Sequence, residues 1–398
     1  MVKNSLKESA MISSSRIQDA NLQLKSPADA AVGSSFDVAV CIGRFQGLHL
    51  GQFALIQRAL ALAPKVVIVV GSAFQARTPK NPFTWQERAE MIRLALSDSV
   101  NHDADATTAL LDRVSFVPVR DYYDSRRWVE AVHQGVDGVA PRQDGQAAPR
   151  TVLVGHRKDA TSDYLSDFPG WTLEAMPSQG RMHSSSLRDA YFAGGGNEAN
   201  PLMLAAALSA LVSVVPPSTI AFLRTWAELP EYRALAEEWA MLREERAQWA
   251  SAPYPPVFVT VDALLQCNDH VLLIERGRAP GKGLFALPGG FLEQRESIYQ
   301  SALRELQEET GFDRLPVHMD TAFRGVQVFD HPDRSLRGRV ITHVHHFDLG
   351  QCKNLPEVAG ADDAAKAMWV PIADLAAMED RFHDDHFHIL DSFLGLTS

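Results

Sequence analysis

The sequence predicts an α/β protein made of two units. In the N-terminal half, short runs of β-branched and aliphatic residues alternate with helical patterns, which is typical of a parallel sheet covered on both faces. A proline-rich stretch over 253–256 then separates this half from a region of shorter strands. The length of 398 residues also exceeds one typical domain.

The N-terminal elements are predicted from hydrophobic periodicity and turn residues. Buried strands are expected at 38–42, 66–70, 114–119 and 152–154, with helices at 50–62 and 82–96. Ligands of such a sheet bind beyond the carboxyl ends of its strands. The Gly-, Pro- and Gln-rich segment over 140–149 is expected to be an inserted loop.

The rest of the chain divides into helices followed by strands. Residues 200–250 are predicted to be helical, with breaks at Pro216, Pro217 and Pro230. Residues 1–35 are rich in Ser, Ala, Lys and Gln and show no clear period, so we expect disorder. The expected organisation is a disordered extension over 1–35, a nucleotide-binding domain over 36–200, a helical linker over 201–252, and a second domain over 253–398 with strands at 257–265, 271–275, 339–348 and 368–371.

Composition excludes several classes of function. The formal net charge of −11 argues against a broad nucleic-acid-binding face, so no nucleic-acid partner is expected. Cys41, Cys267 and Cys352 form no CxxC motif, which favours a reducing compartment without a disulfide framework. The longest apolar run, over 202–215, is too short to span a bilayer. We therefore expect a cytoplasmic protein without a membrane partner.

A helix predicted over 297–310 carries three carboxylates on one face. Glu305, Glu308 and Glu309 stand at positions i, i+3 and i+4. Like charges at this spacing destabilise an isolated helix, so a cation is expected beside them. Carboxylate oxygens suit Mg²⁺ held together with substrate phosphates. A solvated acidic helix is the alternative interpretation.

The segment over 290–312 resembles the Nudix box at every specified position, from Gly290 through Glu296 and the Arg304-Glu305 pair to the final glycine. Nudix hydrolases cleave nucleoside diphosphates linked to another group and use divalent metal. The resemblance implies an α/β/α sandwich with a mixed sheet. In it Arg304, Glu305 and Glu308 are catalytic, with Arg304 orienting a carboxylate. Glu296 supports the loop or the metal shell, and Mg²⁺ or Mn²⁺ is held by Glu305, Glu308, Glu309 and Gly289.

A glycine-containing stretch over 43–52, GRFQGLHLGQ, lies between the first predicted strand and helix. Its glycines allow close approach of the backbone to a phosphate, and the helix N-terminus favours anions. The stretch resembles the GRFQPxHxGH signature of nucleotidyltransferases, specifically the archaeal-type nicotinamide mononucleotide (NMN) adenylyltransferases, which implies a Rossmann-like fold. Family segments are also matched by NPFTWQER over 81–88, GHRKD over 155–159 and MHSSSLR over 182–188.

This second resemblance implies specific roles. Trp128 would stack on the nicotinamide ring, while His49 and Arg188 are the catalytic candidates that contact the phosphates. A core position for Trp128 is the alternative. The full set of implied nucleotide-binding residues is Gly43, Arg44, Phe45, His49, Gly51, Gln52, Asn81, Arg88, Trp128, Lys158, Ser185 and Arg188.

The chain departs from the adenylyltransferase pattern at four positions. Gly47 replaces the usual proline, Gln52 the second histidine, His183 a serine and Ser185 a threonine. Glutamine donates a hydrogen bond without the charge of a protonated imidazole. Loss of such a donor in a transition state reduces the rate on the order of 10²–10³-fold. The N-terminal domain is therefore either an adenylyltransferase or a non-catalytic nucleotide sensor.

The order of the two parts resembles the bacterial bifunctional NMN adenylyltransferase/Nudix hydrolase family, over 36–398. The resemblance implies hydrolysis of ADP-ribose to AMP and ribose 5-phosphate, and adenylyl transfer from ATP to NMN that yields NAD and pyrophosphate. The expected partners are these small molecules, and a homo-oligomer is left open. A non-enzymatic Nudix-type regulator is a further alternative, but it would need a DNA-reading module, and the sequence offers no basic recognition helix.

Three remaining patterns allow two interpretations each. The arginine-rich segment over 329–339 is either a substrate contact or a solvated loop. A late loop carries candidate acids for the hydrolase, which could equally be helix caps: Glu357, Asp362 and Asp363. Two histidine groups lack the spacing of a strong zinc site, so we favour structural roles for them: His343, His345 and His346, and His383, His386 and His388.

Overall fold

The computed structural model describes residues 35–141, 147–156, 165–177, 184–194, 201–313 and 316–397. Residues 1–34 of the expected extension, and the candidates Lys158 and His183, lie outside these ranges. Among the described residues, no helix is both long enough and apolar enough to cross a membrane.

The N-terminal sheet consists of parallel strands, as predicted. The strands are β1 (Val38–Gly43), β2 (Lys65–Val70), β3 (Val114–Pro118), β4 (Thr151–His156) and β5 (Thr172–Met176). Their spatial order is β3-β2-β1-β4-β5, and each neighbouring pair is parallel. The strand order reverses between β1 and β4. Because the strands are parallel, the carboxyl ends of β1, β2 and β3 meet at one edge of the sheet, where a ligand can bind.

Helices cover both faces of this sheet. They are α1 (Leu50–Leu62), α2 (Trp85–Ser99), α3 (Ala104–Leu111), α4 (Ser125–Val139) and α5 (Ser184–Ala193). Alternate residues of β1 pack in opposite directions, Ala39 with α1 and α2 and Val40 with α4. Helix α2 begins at Trp85 rather than at the predicted Pro82, because Thr84 and Glu87 form a reciprocal capping box there.

The segment that we expected to be a linker packs against the N-terminal core. It forms α6 (Pro201–Leu211), α7 (Pro217–Trp226) and α8 (Pro230–Gln248), and all three begin at prolines. Leu208, Leu223 and Tyr232 are buried in the same cluster as strands β1 and β2. The far end of α8 reaches the second domain, where Arg246 donates to the carbonyl of Leu336 at 2.5 Å. A domain boundary near residue 253 remains our proposal.

The C-terminal sheet is mixed. Its strands are β6 (Val257–Cys267), β7 (His270–Arg276), β8 (Phe285–Ala286), β9 (Gly289–Phe291), β10 (Phe323–Phe329), β11 (Arg339–Asp348) and β12 (Ala364–Pro371). The main order is β10-β11-β6-β7-β12, with β8 on β7 and β9 on β6. Strands β6 and β11 are parallel, whereas the other pairs are antiparallel.

Helices lie on both faces of the C-terminal sheet, which confirms the α/β/α sandwich. On one face, α9 (Ile298–Thr310) and α10 (Pro316–Ala322) bury Leu306 and Met319 against the sheet. On the other face lie α11 (Ile372–Leu375), a 3₁₀ helix (Ala376–Arg381) and α12 (His386–Leu394), through residues such as Leu375 and Leu390.

Helix α9 ends at the predicted Thr310 and begins one residue after the predicted Ser297, which is its N-cap. Ser297 caps its N-terminus by accepting a hydrogen bond from the amide of Gln300, whose side chain accepts in return from the amide of Ser297. Gly311 ends the helix with a left-handed φ of 62°. The apolar stripe of α9 faces the sheet, so its acidic stripe lies beside β9.

Candidate active sites

The acidic stripe of α9 is organised around one arginine. The guanidinium of Arg304 forms ion pairs with Glu308 at 2.7 Å, with Glu305 at 3.0 Å and with Glu296 at 3.0 Å. Glu296 also accepts from the hydroxyl of Ser301 at 2.6 Å, and this bond together with Arg304 lowers the pKa of Glu296. Arg304 therefore orients three carboxylates of the predicted site at once and reduces their mutual repulsion.

Glu309 occupies the buried side of the stripe. Only 4% of it is exposed, and its Oε2 accepts from the amide of Gly289 at 2.9 Å. Burial raises the pKa of Glu309 to about 8, and the carboxylates of Glu305 and Asp262 contribute. Burial likewise raises the pKa of Glu305. Both groups lack full compensation of their negative charge, which is the environment that a bound cation stabilises.

The glycines of β9 are required by the close approach of these carboxylates. A Cβ atom on Gly290 would lie 2.5 Å from Oε1 of Glu305, and one on Gly289 would lie 2.3 Å from the carbonyl of Val261. Any side chain at Gly290 must therefore displace Glu305.

We expect Gly290→Ala to reduce hydrolase turnover on the order of 10²-fold while leaving the fold intact, because a displacement of about 1 Å at a catalytic group has effects of this size. The added methyl group meets the end of a flexible side chain, not the backbone. The rate of AMP formation from ADP-ribose and the thermal unfolding of the variant should be measured together. Gly138→Ala is the matched control, since no atom lies within 4 Å of its added Cβ. Unchanged turnover in Gly290→Ala would argue against a role for the Glu305 position.

The donor set on α9 fits a hard divalent cation in its chemistry. Glu305, Glu308 and Glu309 supply carboxylate oxygens, and Gly289 lies directly beside Glu309. Within the described ranges, no three acidic, imidazole or thiolate groups converge closely enough to hold an ion in this arrangement. Two of the three glutamates are instead held by Arg304. A cation must therefore draw Glu305 and Glu308 away from this arginine.

The late loop places one of its candidate acids near the glutamates. Asp362 lies close enough to Glu305 to help raise its pKa, and it adopts a positive φ of 50°. Asp363 instead forms an ion pair with Arg278 at 2.7 Å. Of the two aspartates, Asp362 is therefore the better candidate for a further acid of the hydrolase.

Sequence reasoning missed Asp262 and Arg276. Asp262 is 6% exposed on β6, where the hydroxyl of Thr342 donates to it, and its charge acts on Glu309. Arg276, at the end of β7, also acts on Glu309 and opposes the rise of its pKa. A carboxylate in the middle of an apolar strand was a usable signal for Asp262. Arg276 gave no comparable signal.

A second candidate site lies at the carboxyl ends of β1, β2 and β3. It is a cavity of about 600 Å³ between the two domains. Four of the predicted nucleotide-binding residues line it together: Gly43, Arg44, Asn81 and Trp128. Trp128 also packs edge-to-face on Phe168 at 5.8 Å, so it is both a core residue and a cavity wall.

Arg88 holds the loops beneath this cavity. Its guanidinium donates to the carbonyls of Arg44 at 2.6 Å, Gly71 at 2.7 Å and Ser72 at 3.1 Å. Arg188, from the second signature, donates to the carbonyl of Gln46 at 3.2 Å. Burial lowers the pKa of each of these arginines to about 10. In this structure Arg88 and Arg188 support the nucleotide-binding loop from below, and their contact with the nucleotide remains a prediction.

The first signature loop, over 43–52, contains two residues with left-handed backbone angles. Phe45 and Gly47 adopt positive φ angles of 50° and 88°. Proline fixes φ near about −65°, so the proline usual in this family would not fit this backbone. The side chain of Gln46 exchanges two hydrogen bonds with the backbone of Phe83, at 3.0 and 3.1 Å. The loop is thereby joined to the segment that contains Asn81.

Gln52 forms part of a helix cap. The amide of His49 donates to its side-chain oxygen at 3.3 Å, while the amide of Gln52 donates to Nδ1 of His49 at 3.2 Å. His49 is 6% exposed and is the N-cap residue of α1. Because Nδ1 accepts, the ring proton of neutral His49 is on Nε2. Gln52, which stands where the family signature has its second histidine, thus caps the N-terminus of α1. Its contact with the nucleotide remains a prediction.

We expect Gln52→Ala to lower the free energy of unfolding by about 0.5–2 kcal/mol, as for other lost caps, and to change the NAD-forming rate less than about threefold. A direct phosphate contact would instead reduce the rate on the order of 10²–10³-fold. Steady-state kinetics and thermal unfolding separate the two roles. Gln57→Ala, on the same helix and outside the cap, is the control. A large rate loss in Gln52→Ala without loss of stability would contradict the capping role.

The remaining candidates lie around the same loop. Gly51 is buried in the first turn of α1, and its carbonyl lies 3.1 Å from Nε2 of His156. Ser185 lies exposed in the first turn of α5.

The opposite wall of the cavity comes from the C-terminal domain. Asp333 pairs with Lys80 at 3.4 Å, and Arg334 forms two hydrogen bonds of 2.9 Å with Asp385. Part of the arginine-rich segment therefore lines the interdomain cavity, while Asp330 and Asp333 stay exposed to solvent. Its contact with substrate remains a prediction. The residues that the C-terminal domain contributes are His331, Asp333, Arg334, Leu336, Phe382, Asp384, Asp385 and His388.

His345 and His386, one from each histidine group, contact core side chains or the backbone. His345 is 2% exposed and packs among Tyr299, Phe323 and Phe347, and burial lowers its pKa. His386 accepts from the amide of Leu287 at 3.1 Å. These positions agree with the structural interpretation that we favoured from the sequence.

Comparison with known proteins assigns both halves of the chain. A NUDIX domain model matches residues 256–393, and a cytidylyltransferase-like model matches residues 40–134. The chain is 33% identical over 205 residues to a nicotinamide/nicotinic acid mononucleotide adenylyltransferase of Acinetobacter baylyi, covering 51% of this chain and 94% of that relative. It is 33% identical over 138 residues to an ADP-ribose pyrophosphatase of Methanocaldococcus jannaschii, covering 34% of this chain and 72% of that protein.

A solved structure resembles the chain over both halves. It is a bifunctional NMN adenylyltransferase/ADP-ribose pyrophosphatase from Francisella tularensis, with 34% identity, a TM-score of 0.78, and coverage of 90% of this chain and 99% of that one. A second structure of the Francisella enzyme, with AMP and a manganese ion, has 33% identity, a TM-score of 0.77 and the same coverage.

The fold and the two sites thus define an α/β protein that joins a nucleotidyltransferase-like domain to a Nudix domain. The particular family follows from the Francisella structure, which aligns with both halves of this chain. The chain belongs to the family of bifunctional NMN adenylyltransferase/ADP-ribose pyrophosphatases.

Proposed function

We propose that this chain catalyses two reactions of NAD metabolism. The C-terminal domain hydrolyses ADP-ribose to AMP and ribose 5-phosphate, and the N-terminal domain transfers an adenylyl group from ATP to NMN, which gives NAD and pyrophosphate. The carboxylate cluster around Arg304 carries the hydrolase proposal, because it gathers Glu296, Glu305 and Glu308 of the Nudix box around one arginine. The net charge of −11 supports small-molecule substrates over nucleic acid, and the absence of a CxxC motif supports a cytoplasmic location.

For the hydrolase, we assign the cation-binding role to Glu305, Glu308 and Glu309, with Gly289 beside them. The ion, Mg²⁺ or Mn²⁺, would polarise the diphosphate and lower the pKa of a bound water. Arg304 keeps the glutamates on one side of α9, and Glu296 fixes Arg304 in turn. The manganese ion in the related Francisella structure supports a divalent cation.

For the transferase, the cavity at β1 to β3 would receive the mononucleotide. Arg44 supplies a cation to phosphate at the end of β1, and Trp128 offers an aromatic face to the nicotinamide ring. His49, at the N-terminus of α1, lies where a helix favours anions. Adenylyl transfer requires mainly positioning and charge neutralisation, which these rigidly supported loops provide.

A second candidate function keeps the hydrolase and makes the N-terminal domain a nucleotide sensor. The capping role of Gln52 favours it, because one phosphate donor of the family signature is thereby used elsewhere. Incubation of the protein with ATP, NMN and Mg²⁺ decides between the two, with NAD as the readout. NAD formation supports the transferase, whereas NMN binding without NAD formation supports the sensor.

The hydrolase is tested by incubation with ADP-ribose and either Mg²⁺ or Mn²⁺. We expect equimolar AMP and ribose 5-phosphate and no turnover with a chelator present. A panel of other dinucleotides provides the comparison for substrate choice. Failure to cleave ADP-ribose while another dinucleotide is cleaved would replace our substrate assignment.

A further inference from the structure

The segment over 120–128 lies between the transferase cavity and the C-terminal domain. It follows β3 and continues into the first turn of α4. The residues of the segment that line the cavity are Asp121, Tyr122, Tyr123, Ser125 and Trp128. Arg120, Tyr123 and Arg127 contact the C-terminal domain.

The first contact holds the residue before Asp121. Arg120 forms an ion pair with Glu379, which is 5% exposed on the 3₁₀ helix. The guanidinium also packs on two rings, 5.5 Å from the centroid of Phe74 and 5.4 Å from that of Phe387. The C-terminal domain thus fixes one end of the segment through charge and through packing.

The second contact holds Tyr123. Its hydroxyl donates to Asp385 at 2.8 Å, and its ring stacks on His331 with centroids 4.9 Å apart. Asp385 is itself fixed by the two hydrogen bonds from Arg334. Asp121 and Tyr122 are therefore held on both sides.

The third contact holds the residue before Trp128. Arg127 donates to the carbonyl and the hydroxyl of Thr397, both at 3.0 Å, and pairs with Asp391 at 3.4 Å. These three interactions of Arg127 fix the first turn of α4, from which the Trp128 side chain reaches the cavity.

Asp121 connects the 120–128 segment to the loop that follows β2. Its carboxylate accepts from the amide of Ser72 at 3.1 Å and from the side chain of Gln75 at 3.2 Å, and both residues line the cavity. The side-chain oxygen of Gln75 in turn accepts from Asn81 at 2.7 Å. A shift of the segment would thus reach several parts of the cavity wall.

We infer that Glu379, Asp385 and Thr397 of the Nudix domain are positioning residues for the mononucleotide site of the N-terminal domain. The inference rests on the proposed transferase function. These residues fix the 120–128 segment before NMN arrives, so less conformational entropy is lost on binding. The Nudix domain therefore contributes to both reactions, to one through its own carboxylates and to the other through the wall of the neighbouring cavity.

The test uses the full chain with Glu379→Gln and Arg127→Met, singly and combined. Neither Glu379 nor Arg127 lines the transferase cavity, and neither lies in the Nudix box. We expect the KM and the calorimetric Kd for NMN to rise about 3- to 10-fold per variant, the size expected for one lost hydrogen bond or ion pair. The KM for ATP and the turnover of ADP-ribose should stay unchanged. Glu174→Gln, which breaks the 2.6 Å pair with Arg58 inside the N-terminal domain, is the control.

Two results with the variants would overturn the inference. Unchanged NMN affinity in the combined variant excludes a positioning role. Equal losses in NMN affinity, ATP affinity and ADP-ribose turnover, together with a lower Tm, indicate a general structural role instead. If the wild type forms no NAD, the transferase proposal fails, but calorimetry with NMN still decides the positioning role. Absence of NMN binding to the wild type rejects both.

Discussion

Glu308→Gln is expected to reduce AMP release from ADP-ribose on the order of 10²–10⁴-fold and to leave NAD formation unchanged. Glutamine keeps the shape of the side chain but replaces the anionic carboxylate by a neutral amide, whose single oxygen binds a hard cation more weakly. Glu308 is 46% exposed, so the fold should tolerate the change. Arg304 retains its bonds to Glu296 and Glu305 in the variant. Initial rates of both reactions on one protein preparation provide the measurement.

The matched control for this variant is Glu293→Gln. Glu293 is an exposed acid that precedes the same helix but lies outside the cluster of Arg304. It should retain full hydrolase activity. Normal turnover in Glu308→Gln would refute the role of Glu308, and loss of both reactions would show that the variant damages the fold.

Asp385→Ala is expected to destabilise the protein by about 3–5 kcal/mol. The change leaves the guanidinium of Arg334, whose side chain is only 5% exposed, without its counter-charge. It also removes the acceptor of the Tyr123 hydroxyl, so the domain interface should loosen. Thermal unfolding followed by two probes is the measurement, because a two-domain chain need not unfold in one step.

Two controls distinguish the destabilisation caused by an unpaired buried charge from that caused by the loss of any one contact. The double variant Arg334→Met/Asp385→Leu should be more stable than Asp385→Ala, since it leaves no unpaired buried charge. Lys366→Ala breaks the exposed pair with Glu275 and should cost less than about 1 kcal/mol. If Asp385→Ala were as mild as Lys366→Ala, the buried pair would not hold the interface.

Local signals predicted much of the fold. The β-branched runs of β1 and β2 and the caps of α9 at Ser297 and Gly311 are encoded within a few residues. Strand β5 (Thr172–Met176) was missed because it is a polar edge strand without a continuous apolar run. The packing of α6 to α8 on the N-terminal core depends on tertiary contacts that no local pattern reports.

The site was predicted in part. Motif positions identified Arg44 and Trp128, which the structure brings together in one cavity. The backbone partners of Arg88 and Gln52 were not predicted, because they belong to the folded loops and no local pattern reports them. The pairing of Tyr123 with Asp385 joins residues 262 positions apart. Sequence patterns within one domain do not indicate which loop of another domain will contact it.

A crystal grown with Mn²⁺ and AMP tests the central assignment most directly. We predict an anomalous peak in contact with carboxylate oxygens of at least two of Glu305, Glu308 and Glu309, with Glu305 drawn away from Arg304. A peak located elsewhere, with all three glutamates still held as they are here, would contradict the assignment of the hydrolase site to α9.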